Sequence, residues 1–392
     1  MPTLYLHIGM PKTGTSYIQK FLLTNASVLK TKNYVFPVFP RITNFLPQRN
    51  ARFLAHVFRD ENGKADSKTK QEVWNKNFEY ISELFNEYDN MILSEESIWS
   101  RRKTNNKFWK KLKKELDSRG IDCKVVAYLR RQDLFEQSHW AQKVQEYETC
   151  SFKEYINGVS TDRLDYYTRL NDIAKFMGKE NIIVRVYEKQ QWGGTQKNLI
   201  SDFLHTVGLE LTDEFILPEK SVVNISLSGK YLAFKQYMNR YTKRQTKKFK
   251  KDCLYMALSE LTYRNASNTN YSKNVFLSQE EALEYLAQFK EENEKVAREY
   301  LGREDGVLFK DDIVVDEEKV EYTAEDFLDV ANEVFNYLDE VNEELKAKLL
   351  EDKKEIKELN RIIKEQRSTI IWILSVFPKK VIRKLKSILK SK

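Results

Sequence analysis

Leu4-Tyr5-Leu6-His7-Ile8-Gly9-Met10-Pro11-Lys12-Thr13-Gly14-Thr15-Ser16-Tyr17-Ile18-Gln19-Lys20-Phe21-Leu22-Leu23 reads as a short apolar strand, a loop with two glycines and the first turns of a helix. Gly9 and Gly14 permit positive φ and leave room for a ligand to approach the backbone. The amides of Thr13 to Ser16 would then lie at a helix N-terminus, where unpaired N–H groups and the positive dipole end favour an anion. Thr15 and Ser16 add hydroxyls, and Lys12 adds a mobile point charge. The alternative is a glycine-rich turn without a ligand. Lysine, hydroxyls and glycines gathered at one strand–helix junction favour a phosphate or phosphate-like group instead.

The order is not G-x-x-x-x-G-K-[ST], in which lysine follows the second glycine. Here the glycine spacing is kept, but Lys12 precedes Gly14 and Thr15 takes the usual lysine position. Two further strands follow downstream. Asn90-Met91-Ile92-Leu93-Ser94 ends in Glu95 and Glu96; Cys123-Lys124-Val125-Val126-Ala127-Tyr128-Leu129 ends in Arg130 and Arg131. Helices are expected around 68–88, 101–114, 163–178 and 195–207, and a strand at 182–188. A further helix opens at Arg130–Asp133, with Asp133 as its N-cap. Strand and helix alternating at this spacing give βαβ units, hence an α/β fold with a P-loop-like parallel sheet flanked by helices. Ligands bind outside the carboxyl ends of such strands. The loop, Glu95/Glu96 and Arg130/Arg131 all fall there, so one cleft could hold them.

The chain has 392 residues, 41% apolar and 32% charged, enough for one large α/β domain with appendages. Its net charge of +8 is uneven: residues 346–392 carry 15 Lys+Arg against 5 Asp+Glu, so the basic excess belongs to the C-terminal end. Cys123, Cys150 and Cys253 are isolated and match no metal-ligand spacing, and no metal is expected. Sparse, odd cysteines and a start without a charged-then-apolar leader lead to the expectation of a cytoplasmic protein.

Residues 33–75 read as irregular, with Pro37, Pro40 and Pro47, and a loop of that length is usually functional. His56 within it is either a core histidine or an acceptor contact. The basic run 101–114, with Arg101 and Arg102, and the run Arg240–Lys251 fit solvated helix faces; the second could instead attract an acidic acceptor. Residues 219–315 read as mostly helical, with a capping box at Ser278 and Glu281.

From Thr323, apolar residues recur at three- and four-residue steps through Phe327, Val330, Val334, Leu338, Val341, Leu345, Leu349, Ile356, Leu359 and Ile363. This predicts a long amphipathic helix over 323–368, docked on its own domain or paired with a second copy as a coiled coil, the latter preferred. Residues 369–392 combine Ile370–Phe377, Trp372 and clustered lysines, the pattern of a basic amphipathic tail on an anionic membrane surface, here the inner face of the cell membrane. The apolar run is far shorter than the ~20 residues a spanning helix needs. Nucleic acid is disfavoured, since no recognised fold or stacking platform accompanies the charge. The expected organisation is therefore 1–315, 323–368 and 369–392.

Three segments together resemble sulfotransferases that use 3′-phosphoadenosine 5′-phosphosulfate (PAPS), especially bacterial enzymes acting on glycans or surface polysaccharides. G-x-x-K-T-G-T-S at Gly9–Ser16 is similar to the family's 5′-phosphosulfate loop. Arg130 after a strand, with Ser138 eight residues on and then Trp140, is similar to its 3′-phosphate segment. Ile92-Leu93-Ser94-Glu95-Glu96 resembles a strand-end S-x-E element, and weaker echoes occur at Arg185-Val186-Tyr187-Glu188, Asn224–Ser228 and 293–309. The likeness covers about residues 1–315 and lacks a glycine-rich R-K-G segment to close over adenosine.

The resemblance implies in-line transfer of a sulfuryl group to a glycan hydroxyl or amine. Pro11, Lys12, Thr13, Gly14, Thr15 and Ser16 would hold the 5′-phosphosulfate, and Arg130 and Ser138 the 3′-phosphate. Lys12 would also offset charge on the leaving oxygen. The base would be Glu96, then Glu95, then His56; the glutamates could instead form a structural ion pair with Arg101 or Arg102. Two other readings remain at this point, a nucleotide-dependent kinase or NTPase and a non-catalytic, membrane-docked protein with a vestigial loop.

Overall fold

The computed structural model describes residues 2–39, 46–100, 105–218, 226–240, 253–266, 275–313 and 322–376. The chain divides into two units, Met1–Tyr322 and Thr323–Lys392.

The first unit is built on five parallel strands. β1 (Thr3–His7) leads through the glycine loop into α1 (Thr15–Thr24) and α2 (Ala26–Thr31), and β2 (Tyr34–Val35) follows. After α3 (Arg52–Ala55), α4 (Ser67–Leu84) starts where the Asp66 carboxylate accepts from the Thr69 amide at 3.0 Å. β3 (Asn90–Ser94), α5 (Asn105–Asp117), β4 (Asp122–Leu129), α6 (Gln132–Gln145), α7 (Phe152–Gly158), α8 (Tyr166–Met177), β5 (Ile182–Val186) and α9 (Leu199–Thr206) complete the βα alternation. The rest of the unit is helical: α10 (Gly229–Asn239), α11 (Cys253–Ala266), α12 (Gln279–Ala287) and α13 (Lys290–Leu301). The capping box at Ser278 and Glu281 is formed.

The strand order is β2-β3-β1-β4-β5. β1 is thus central, paired in register with β3 (His7 opposite Ser94) and β4 (His7 opposite Val126). Successive side chains point to opposite faces, so each strand feeds two cores. Leu4, Leu6, Leu93, Val125 and Ala127 pack into one. Ile92, Val126 and Tyr128 face the other, with Ile18 and Phe21 of α1 and Phe203 of α9. Burial on both faces explains why β3 and β4 read as continuous apolar runs rather than alternating ones. The chain leaves β1 towards β2 on one side of the sheet and leaves β3 towards β4 on the other, so the strand order reverses at β1, the kind of switch point outside whose carboxyl ends parallel sheets bind ligands.

Two details differ from the sequence reading. Residues 33–75 are not wholly irregular: they hold β2, an edge strand of two residues ended by the approach to Pro37, and α3. Asp133 is not the N-cap of α6. Arg131 holds that position, and the Asp133 carboxylate accepts from its guanidinium (Nε–Oδ1 2.8 Å), a charged partner that outcompetes the backbone amides. The Arg101 and Arg102 pairing, the 243–251 basic run and residues 377–392 lie outside the described residues.

In the second unit, α14 (Ala324–Val376) starts at Thr323, whose hydroxyl accepts from the Asp326 amide at 3.2 Å while its own amide donates to the Asp326 carboxylate at 2.7 Å. The helix continues through residue 368 because no glycine or proline intervenes before Pro378. Leu345, Leu349, Ile356 and Leu359 of its apolar stripe are all exposed. No helix among the described residues is long and apolar enough to cross a membrane.

Candidate functional site

The loop after β1 holds a strained shape. Gly9, Lys12 and Gly14 have φ of 53°, 69° and 74°, and only glycine tolerates such values without cost. A Cβ on Gly14 would lie 2.4 Å from Leu199 Cδ2 and 3.5 Å from Tyr187 Cε2, so a larger residue, on a backbone already strained by its φ, would have to displace Leu199. The Thr13 hydroxyl donates to the Met10 carbonyl at 2.6 Å and braces the turn from inside. Tyr17 and Ile18 amides return to the Gly14 carbonyl at 3.0 and 3.1 Å and close the first turn of α1. Among the described residues, the amides of Thr13, Gly14, Thr15 and Ser16 have no intramolecular acceptor. Four free donors on a ten-residue helix make an anion cradle.

Arg130, at the end of β4, reaches into this loop: its Nη1 donates to the Lys12 carbonyl at 2.7 Å. Its own carbonyl accepts from Tyr166 Oη at 2.6 Å, which pins the strand end. Its guanidinium lies 5.7 Å from the centroid of the Tyr187 ring, which in turn packs on Trp192. Lys12 and Arg130 are half-buried, and neither has a carboxylate at ion-pair distance among the described residues. Burial, then the neighbouring Arg130 charge, holds the Lys12 ammonium below its ordinary pKa; burial does the same to Arg130. Two cations desolvated side by side without a counter-ion favour a polyanion between them. Ser138 lies two turns into α6, and its half-buried hydroxyl has no partner among the described residues.

On the other flank, the two glutamates have different surroundings. The Glu95 side chain is 0% exposed. It accepts from Arg49 Nε, Arg52 Nη1 and the Ser97 amide, each at 3.1 Å, and so starts the 3₁₀ turn Glu96–Ile98. Glu96 is 19% exposed, accepts from Gln19 Nε2 at 2.9 Å and pairs with Arg49 Nη2 at 3.1 Å. Its Cβ would lie 3.5 Å from a Cβ on Gly9, so it stands at the rim of the loop. The ion pair the sequence raised for these glutamates is thus made with Arg49 and Arg52. Gln19 also donates to Ser94 Oγ at 3.2 Å, and that hydroxyl bonds His7 Nδ1 at 2.8 Å. His56 follows α3 with its ring edge-on to Phe58 at 4.8 Å, and it is half-buried.

Lys12, Arg130 and the loop amides are therefore gathered in one place, with Glu96 across the loop. Arg49, Arg52 and Gln19 are site neighbours that the sequence did not single out, while Tyr187 falls in a segment noted there only as a weaker echo. The two arginines had only the length of the loop around them as a signal. No group of three or more His, Cys, Asp or Glu residues stands close enough to hold a metal among the described residues.

Two expected results arise here. Lys12→Gly relieves a left-handed backbone worth roughly 1 kcal/mol and deletes the ammonium. Thermal melting is expected to show equal or higher stability, while calorimetry shows at least tenfold weaker binding of adenosine 3′,5′-bisphosphate; a drop in both would place the lysine in the framework instead.

The second concerns pH. Burial pushes the pKa of His7 down to about 3, and burial with nearby cations pushes that of His139 down to about 4. Both are bases whose folded pKa lies below the unfolded value of about 6.5. Their contribution is complete above that value and is lost as pH falls towards the folded values. Urea unfolding is expected to lose up to ~1.4 kcal/mol per pH unit for each histidine across that window. His7→Gln should flatten the slope, and an unchanged slope would contradict the burial argument.

No protein-family model matches the chain. An uncharacterized protein of Archaeoglobus fulgidus is 30% identical over 199 residues, 51% of this chain and 50% of that protein, so the chain spans half the length of the curated relative it matches. Among solved structures, a sulfotransferase from Alicyclobacillus acidocaldarius aligns with a TM-score of 0.33 at 13% identity, covering 69% of this chain and 94% of that one.

Proposed function

We propose that the first unit is a sulfotransferase that moves a sulfuryl group from PAPS to a hydroxyl or amine of a glycan and releases adenosine 3′,5′-bisphosphate. The observation that carries this reading is the 2.7 Å bond from Arg130 Nη1 to the Lys12 carbonyl, which brings together two cations that have no carboxylate at ion-pair distance among the described residues, beside the loop amides. A nucleotide bearing charge at two ends suits that spacing. Arg130 and the Ser138 hydroxyl would take the 3′-phosphate. The amides of Gly14 to Ser16 would take the 5′-phosphate, and Lys12 would offset charge as the bridging oxygen leaves. Catalysis would rest on positioning and charge, as in phosphoryl transfer.

Of the three bases the resemblance suggests, Glu96 is the accessible carboxylate at the rim, while Glu95 is committed to Arg49 and Arg52. The test is transfer of labelled sulfate from PAPS to a polysaccharide panel by the full chain. Wild type is expected to label at least one member and Lys12→Ala none. Turnover of Mg-ATP without any PAPS-dependent labelling would replace this reading with the kinase alternative.

The C-terminal parts belong to the same reading. The exposed part of the α14 stripe, from Leu345 to Leu359, would pair with a second copy, and residues 369–392 would dock on an anionic membrane, bringing the unit to surface-polysaccharide acceptors. Deleting 368–392 is expected to abolish binding to phosphatidylglycerol vesicles and leave bisphosphate affinity unchanged. Vesicle binding that survives the deletion refutes the tail assignment.

A further inference from the structure

A second polar chain runs beside the loop on α6, one residue from Ser138. Tyr155 Oη of α7 donates to Glu136 Oε2 at 2.8 Å and receives Arg163 Nη2 at 2.7 Å. It also bonds His139 Nδ1 at 2.6 Å. Glu136 is fully buried and ion-paired to Arg163, whose Nε donates to Oε1 at 3.2 Å. The phenol has one proton, and it goes to Glu136. Its oxygen must then accept from both Arg163 and His139. That fixes the imidazole with its proton on Nδ1 and leaves the Nε2 lone pair unprotonated. The ring is also held by stacking on Phe135, with centroids 5.5 Å apart and planes 13° apart. A carboxylate orienting an imidazole through a hydroxyl is the arrangement of an aligned general base.

We infer that His139 Nε2 takes the acceptor's proton, with Tyr155 and Glu136 as positioning residues. This rests on the sulfotransferase reading and gives Glu96 the lesser role of holding Gln19 and Arg49. In the step, the acceptor O–H proton passes to Nε2 as the acceptor oxygen bonds to sulfur. The bond from sulfur to the 5′-phosphate oxygen breaks, and its electron pair stays on adenosine 3′,5′-bisphosphate. The proton leaves His139 for solvent when the products depart.

The charged groups around the ring are Arg163 from the turn before α8, Lys143 on α6, Glu146 at the C-cap of α6, and Lys12 from the loop. The three cations lower its basicity, after burial, and Glu146 raises it. A bound polyanion at Lys12 would offset those cations, so the base would strengthen only once the donor is in place.

The experiment is a pH titration of the full chain carrying ¹⁵N-labelled histidine, with and without adenosine 3′,5′-bisphosphate, using His139→Gln to assign the signal. At neutral pH, His139 is expected to be uncharged with its proton on Nδ1. Tyr155→Phe should mix the tautomers, and the bisphosphate should raise the titration midpoint by at least one pH unit. His139→Gln should cut transfer of the labelled sulfuryl group from PAPS to the polysaccharide that wild type labels at least 100-fold, with bisphosphate affinity within twofold of wild type. If wild type fails to bind the bisphosphate, the sulfotransferase reading fails and this inference with it. If binding is intact but the proton sits on Nε2, or His139→Gln keeps its rate, only the role of His139 is overturned.

Discussion

Glu95→Ala is expected to cost about 3–5 kcal/mol of stability, the largest single loss in the first unit. The carboxylate is wholly buried and takes donors from Arg49, Arg52 and the Ser97 amide. Removing it leaves Arg52 without a carboxylate partner among the described residues and Arg49 with Glu96 alone. It also removes the start of the turn that places Glu96 at the loop rim. Urea unfolding checks the size of the effect. Glu95→Gln, which keeps shape and acceptor oxygen, should recover part of the loss but not the charge. A loss below about 1 kcal/mol for the alanine variant would mark the cluster as no stronger than an exposed pair.

Arg130→Ala is expected to weaken adenosine 3′,5′-bisphosphate binding by about 2–5 kcal/mol, roughly 30-fold or more, while AMP affinity changes little. Among the described residues the guanidinium has no carboxylate at ion-pair distance, and it contacts the Lys12 carbonyl and the Tyr187 face. A bound phosphate would therefore gain a charge-assisted, bidentate contact without breaking an existing ion pair. Arg130→Lys keeps charge but loses the fork and should recover little. Equal losses for AMP and the bisphosphate would move Arg130 from the 3′-phosphate to the loop's own architecture.

The fold was legible where local chemistry and tertiary demand agree. The opening strand, glycine turn and helix could be read because a cradle of free amides needs positive φ at fixed points, and glycine advertises two of them. Lys12 advertises nothing, since its own left-handed backbone is imposed by the turn around it. β3 and β4 were plain because burial on both faces makes them continuously apolar. β2 was not, since two residues beside a proline carry no period. The convergence of Lys12 and Arg130 followed from strand-end placement on a parallel sheet. The partners of Glu95 did not, because Arg49 and Arg52 reach it from more than 40 residues away in sequence through a segment without periodicity. Asp133 failed as a cap for a similar reason, with a neighbouring guanidinium outbidding the helix amides. The hydrogen-bond direction at His139 depends on which single proton Tyr155 gives away, which no spacing rule contains.

The most direct measurement of the central claim is calorimetry of the full chain with adenosine 3′,5′-bisphosphate against AMP. If one cleft grips both ends of a nucleotide, the bisphosphate binds at least 30-fold more tightly, and that margin disappears in Arg130→Ala. Equal affinity for the two ligands in wild type would contradict the account.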